Sequence, residues 1–113
     1  MAKELTPAEI GQIGEEHLMA ALRAKGFDCH RNTQLPGVTD IVAVEREEGK
    51  IINSLRVQVK TAIVPCLPAD LSWEEKKAII SRAHASDSEA WMAQVRINED
   101  GDLVGEIKWG KLN

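Results

Sequence analysis

The sequence predicts a mixed α+β domain: one sheet flanked by helices, in the order α-β-β-β-α-β-β. Three observations predict it. Two segments, opening at Thr6 and Ser72, carry a helix-capping box followed by apolar residues at helical spacing. Two Val/Ile-rich runs, Val38–Val44 and Arg56–Ala62, flank a polar connection that contains Gly49, the pattern of a β-hairpin. Two more strand-like runs, 90–97 and 103–109, flank Asp100-Gly101, a pair suited to a tight hairpin turn.

The first helix starts with Thr6 as cap, Pro7 in the first turn and Glu9 completing the capping box. It is expected to run to about Ala24, where Lys25-Gly26 stops it. Ile10, Gly14, Leu18, Ala21 and Leu22 form its apolar stripe, and Gly11 falls on that stripe too. Glycine inside a helix costs roughly 1 kcal/mol against alanine, so Gly11 and Gly14 imply close approach to a sheet. Glu15 lies at the stripe's edge. It is either a boundary residue whose head reaches water or a carboxylate leaning over the sheet toward Asp40. Glu16 and His17 are expected at the surface.

Phe27–Arg31 is expected to be the first strand and Asn32–Gly37 a loop rich in turn signals. Arg31, near the strand end, either meets a phosphate or is solvated. The two runs of the hairpin are apolar on both alternating faces, so both are expected inside the sheet. Ile63–Asp70 is a proline-broken connection. The second helix runs from a Ser72 cap through His84, with Ile79, Ile80 and Ala83 inward and Trp73 packed at its start. Lys76, Lys77 and Arg82 make this the most basic short segment. It is either a phosphate-contacting face or a solvated one balanced by Glu74 and Glu75.

The 113 residues fit a single domain, 1–113, with a modest core. No run is long or apolar enough to span a membrane, and Met1–Leu5 lacks the apolar core of a signal peptide, so cytoplasmic residence is the default. Cys29 and Cys66 are far apart and form no CxxC pattern, which predicts two reduced, partly buried thiols. A net charge of −4 argues against coating nucleic acid by bulk charge, but not against a nuclease with a local basic patch. With one Phe, three Trp and no Tyr, a base-stacking platform has little to build on.

The hairpin's exceptions to its apolar pattern are Asp40, Gln58 and Lys60. Residues two apart on a strand share a face, so Gln58 and Lys60 are neighbours, and antiparallel pairing can place Asp40 beside them. Such a half-buried polar group is costly unless it binds something. Asp40 and the Gln58 carbonyl are hard oxygen ligands suited to a divalent cation. Lys60 suits charge building on a phosphate. Other chemistries lack their signatures. There is no P-loop, Gly11-x-x-Gly14 lies inside a helix, the three histidines show no ligand spacing, and no Gly-x-Ser-x-Gly elbow occurs.

Gly11-x-x-Gly14-Glu15 on an N-terminal helix, Gly26-Phe27, Thr39-Asp40 and Gln58-x-Lys60 together resemble the PD-(D/E)xK nuclease superfamily. The flavour is that of archaeal Holliday-junction resolvases and homing-type endonucleases with QxK. The resemblance covers roughly the first 64 residues and implies a restriction-endonuclease-like core. It implies Asp40 as the central ligand of Mg²⁺ or Mn²⁺, Gln58 at the second acidic position, Lys60 as catalytic lysine, and Glu15 as an assisting carboxylate. Thr39 stands where the family has proline, and Gln58 where it has Asp or Glu. An amide oxygen holds Mg²⁺ more weakly, so either Glu15 compensates or activity is weak or lost.

The expectation that follows is a metal-dependent endonuclease acting on DNA, with a branched or junction substrate among the candidates. So small a domain contacts few base pairs, which makes a homodimer cutting both strands a natural expectation, although no sequence feature shows one. The alternative is a degraded nuclease-fold module that binds nucleic acid or a protein partner. A plain structural domain, with Asp40, Gln58 and Lys60 as a satisfied polar network, is the third.

Overall fold

The computed structural model describes residues 4–35 and 38–113, so Met1–Lys3 and the Pro36-Gly37 turn lie outside the described residues. Helix α1 (Pro7–Ala24) begins as expected: the Thr6 hydroxyl accepts from the Glu9 N–H, and the Glu9 carboxylate accepts from the Thr6 N–H. Strands β1 (Asp28–Leu35), β2 (Val38–Glu47) and β3 (Lys50–Ile63) follow, then helix α2 (Trp73–Ala85), β4 (Glu89–Ile97) and β5 (Lys108–Lys111). Ser72 and Glu75 close the second capping box. The fold class and element order are those the sequence predicts.

The five strands lie in the order β1-β2-β3-β4-β5. Every neighbouring pair is antiparallel except β3 and β4, which are parallel. A parallel pair needs a crossover, and α2 supplies it. The two helices therefore cover opposite faces. Leu18, Met19 and Leu22 of α1 pack on Ile41, Ala43, Leu55, Val57 and Ala93. Ile79 and Ala83 of α2 pack on Ala90 and the preceding Leu71. Alternation along β2 and β3 sends Ile41, Ala43 and Val57 to the α1 face. It sends Asp40, Arg56, Gln58 and Lys60 to the α2 face, where they meet that helix.

Several local expectations are corrected. β1 runs on to Leu35 through the polar segment expected to be a loop, with Asn32 opposite Asp40 and Thr33 opposite Thr39. An edge strand gains its ladder from one neighbour and keeps polar side chains in water, so composition disguises it. The hairpin turn narrows to Glu48 and Gly49, at φ 52° and 80°. The last strand does not start at Leu103, which makes only an isolated bridge to Ile97. The chain turns at Gly105, φ 70°, before pairing resumes at Lys108. Trp73 is 71% exposed, and Leu71 fills the core where Trp73 was expected. His17 is half-buried, its Nε2 sharing a 2.8 Å hydrogen bond with the Gly101 carbonyl, which ties α1 to the loop after β4. Cys66 is exposed. Cys29 is half-buried, and burial pushes its thiol pKa up despite Arg23 nearby.

The two helix glycines separate. Nothing lies close to where a Gly11 side chain would stand, so close approach does not explain it. At Gly14 a Cβ would overlap the Thr61 side chain on β3. That overlap is with Cβ and Cγ2 as well as the hydroxyl, so a rotamer change alone does not relieve it. Gly14→Ala is expected to lower stability by about 1–3 kcal/mol, the usual cost of overpacking, whereas Gly11→Ala is expected to raise it by up to about 1 kcal/mol. Urea denaturation of both variants checks this. Equal effects would contradict the close contact at Gly14.

Candidate functional site

Asp40 is completely buried, yet none of its charge is orphaned. Arg82 of α2 grips it with both arms of its fork, Nε to Oδ2 at 2.6 Å and Nη2 to Oδ1 at 2.7 Å. Arg56, two residues before Gln58 on β3, adds Nη1 to Oδ2 at 3.1 Å. A bidentate guanidinium–carboxylate pair is among the stronger charge-assisted contacts. Here it bolts the crossover helix to the two central strands.

Continuing the Ile41–Val57 pairing by one step sets Asp40 opposite Gln58, on the same face, as the sequence predicts. Gln58 and Lys60 do not turn toward Asp40. The Gln58 amide nitrogen donates to Glu75 Oε2 at 3.0 Å, and the Lys60 ammonium donates to the same oxygen at 2.8 Å. The other Glu75 oxygen accepts from the Ser72 N–H at 2.9 Å and so completes the helix cap. The bond from Lys60, with help from Ser72, holds the Glu75 carboxyl below its ordinary value.

These groups line an open cleft of about 440 Å³ at the end of the sheet where β2 begins, with Glu15, Gln58, Lys60, Glu75 and Arg82 in its wall. Glu15 reaches it from the opposite face. It bonds Arg31 Nε at 2.8 Å and does not lean to Asp40. The four basic residues singled out by the sequence do not gather into one patch. Arg31 is held by Glu15, Lys76 lies 3.6 Å from Asp70, Lys77 stands over the Trp73 ring, and Arg82 is spent on Asp40.

Two residues of the cluster escaped the sequence reading. Glu75 reads from the sequence as a capping-box residue, and only the fold brings its second oxygen to Lys60. Arg56 shares the alternation of Gln58 and Lys60, and that spacing is the sequence signal that places it on their face.

The donor set expected for Mg²⁺ or Mn²⁺ was Asp40, Gln58 and Glu15. Its oxygens are of the right hardness for such an ion, but the arrangement does not fit one at Asp40. Three N–H bonds occupy the carboxylate, two guanidinium groups would repel a cation, and Glu15 is engaged elsewhere. Among the described residues, no three acidic, His or Cys side chains converge as a metal cluster.

No family model matches the sequence, and no curated protein matches it. The fold has a solved counterpart. It is similar to Hjc, a Holliday junction resolvase from the archaeal hyperthermophile Archaeoglobus fulgidus, with a TM-score of 0.64 over 90% of this chain and 72% of that one. Identity is 23%, so the likeness is one of fold. A five-stranded mixed sheet between two helices, similar to a resolvase, is thus the architecture in which the cleft sits.

Two outcomes follow from the charge arrangement. Asp40→Ala leaves two inward-facing guanidinium groups without their anion, and is expected to cost about 3 kcal/mol or more in urea denaturation; a loss under about 1 kcal/mol would contradict the lock. Glu75 has a folded pKa below its unfolded one. Its contribution to stability is therefore present above the unfolded value, about 4.3, and lost as pH falls through the folded value. Between about pH 5 and pH 3 the stability of Glu75→Gln should fall less steeply than that of the wild type. Parallel curves would show that Glu75 is not coupled to Lys60.

Proposed function

We propose that this chain is a nuclease that hydrolyses DNA phosphodiester bonds in the cleft between α1 and α2. The observation that carries the reading is the meeting of Lys60, Gln58 and Glu75 in an open, solvent-reaching cleft, one strand away from a buried Asp40. A resolvase-like fold supports it.

The residues present define the roles. Lys60 is a mobile point charge that can leave Glu75 for a phosphate oxygen and stabilise the charge that builds there. Glu75, held ionised, accepts the hydrogen of a water and orients its lone pair to phosphorus; as that bond forms, the phosphorus bond to the leaving nucleotide oxygen breaks, and water in the open cleft protonates that oxygen. Gln58 fixes Glu75 in place. Asp40 acts through Arg82, holding α2 so that Glu75 faces Lys60. It is a positioning residue in this arrangement. Because Arg82 and Arg56 occupy Asp40, no step is assigned to a divalent ion. Use of Mg²⁺ or Mn²⁺ would need Arg82 to release the carboxylate first.

That closed carboxylate favours a second reading, a nuclease-fold module that binds nucleic acid without cutting it. One assay separates the two. Plasmid, linear duplex, single strand, flap and four-way junction are incubated with Mg²⁺, Mn²⁺ or a chelator. Wild type runs beside Lys60→Ala and Glu75→Gln, each checked for folding by circular dichroism. Cutting that falls at least about 100-fold in both folded variants supports the nuclease, consistent with the typical weight of one such group. The preferred substrate then names its class, and the chelator lane reports metal use. A folded wild type that binds but cuts nothing under any condition supports the binding module.

A further inference from the structure

The strand register extends the cleft's α2 face sideways. Lys60 on β3 is paired with Gln94 on β4, and Gln94 with Lys108 on β5. Arg96 follows two residues after Gln94 and points to the same face. Gln94, Arg96 and Lys108 line a separate cavity of about 280 Å³, with Glu106, Leu67 and Pro68 completing its wall. Gln94 spends its amide donors on the Pro68 and Ala69 carbonyls, which fixes the proline-broken connection as that wall.

Arg96 is half-buried, and among the described residues its guanidinium has no ion pair or hydrogen bond. Its nitrogens are not among the buried unpartnered polar atoms, so they reach water, and their five donors are open to an anion. The group is also held in place. A Cβ at Gly105 would stand 2.6 Å from an Arg96 nitrogen, and the backbone there has φ 70°, so a glycine both makes the turn and leaves room for the cation. The Val104 N–H bonds the Arg96 carbonyl at 2.8 Å, tying this segment to β4. Lys108 is exposed and likewise has no salt bridge among the described residues.

We propose that Arg96 and Lys108 form a second anion site, which holds a phosphate of the nucleic-acid strand that places another of its phosphates, a few nucleotides along, at Lys60. This rests on the reading of the cleft as a phosphodiester site. Two strand spacings of about 4.8 Å put Lys108 about 10 Å across the sheet from Lys60. That is on the order of three phosphate repeats at 3.4 Å rise along one strand. Arg96 supplies a planar fork suited to two phosphate oxygens, and Lys108 a point charge. With a net charge of −4 the protein cannot hold a polyanion by bulk attraction, so a local cation pair beside the cleft is what sets the strand's direction. Glu106 opposes it and limits the affinity.

The test is fluorescence-anisotropy binding of labelled single-stranded and duplex DNA across a salt series, with the DNA run on a denaturing gel after each titration so that only intact strands are scored. Wild type is compared with Arg96→Gln/Lys108→Gln, with Glu106→Gln, and with Arg46→Gln/Lys50→Gln, which removes the same charge at the far hairpin tip. The cavity variant is expected to bind at least about 10-fold more weakly near 0.1 M salt, with a log–log slope lower by between one and two. The hairpin variant should stay near wild type, and Glu106→Gln should bind more tightly. Thermal melts verify that all are folded, and Arg96→Lys/Lys108→Arg should restore most of the slope. Equal losses in cavity and hairpin variants, or no loss in either, overturn the site, as does a wild type that binds no DNA. A wild type that binds with this dependence yet cuts no substrate sinks the cleavage reading and upholds the site.

Discussion

The structure depends on one buried carboxylate. Asp40 has no water around it, so it must be neutralised by groups brought from elsewhere in the chain. Arg82 arrives from α2 and Arg56 from β3, 42 and 16 residues away. Ion pairs of this kind contribute little net stability against an apolar replacement, but they are specific: a wrong register would leave a bare charge inside. The constraint therefore acts on geometry. It sets the rotation of α2 about its axis, and that rotation aims Glu75 at Lys60.

The same carboxylate explains why likeness of fold and likeness of site can part company. The sheet and two helices are similar to a resolvase's over 90% of this chain, and at 23% identity that likeness is one of fold, while the charges at the centre are this chain's own. Here the positive charge beside Asp40 is a pair of guanidinium groups, and the carboxylate that meets Lys60 comes from α2. Glu75 serves a helix cap with one oxygen and the cleft with the other. Such double use holds the carboxylate rigid at no further entropic cost, because the cap already orders it.

The face of the sheet covered by α2 has an apolar half and a polar half. Near β4's start, Ala90 and Met92 pack on Ile79 and Ala83. Further along, polar side chains take over: Gln58 and Lys60 against the first turn of α2, then Gln94, Arg96 and Lys108 beside it. The apolar half anchors the helix. The polar half, walled by the proline-broken connection, is open to a charged ligand.

Both helices, their capping boxes, the three interior strands and the shared face of Asp40 and Gln58 were legible in the sequence. These rest on local rules: cap chemistry acts over three residues, strand alternation over two, and continuous apolar runs mark burial on both faces. The edge strands were less legible, because Asn32–Gln34 and Leu103–Glu106 carry no such pattern and are placed by pairing partners or by Gly105. The exposure of Trp73, the tether from His17 to Gly101 and the overlap at Gly14 also depend on neighbours distant in sequence. The partners of each charge were least legible of all. Asp40, Gln58 and Lys60 could be named from their positions, but Arg82, Arg56 and Glu75 become their partners only when the crossover brings α2 over β2 and β3. Which charges balance which is decided by distances that close in three dimensions, and electrostatic energy falls off with those distances and with solvent access rather than with separation along the chain.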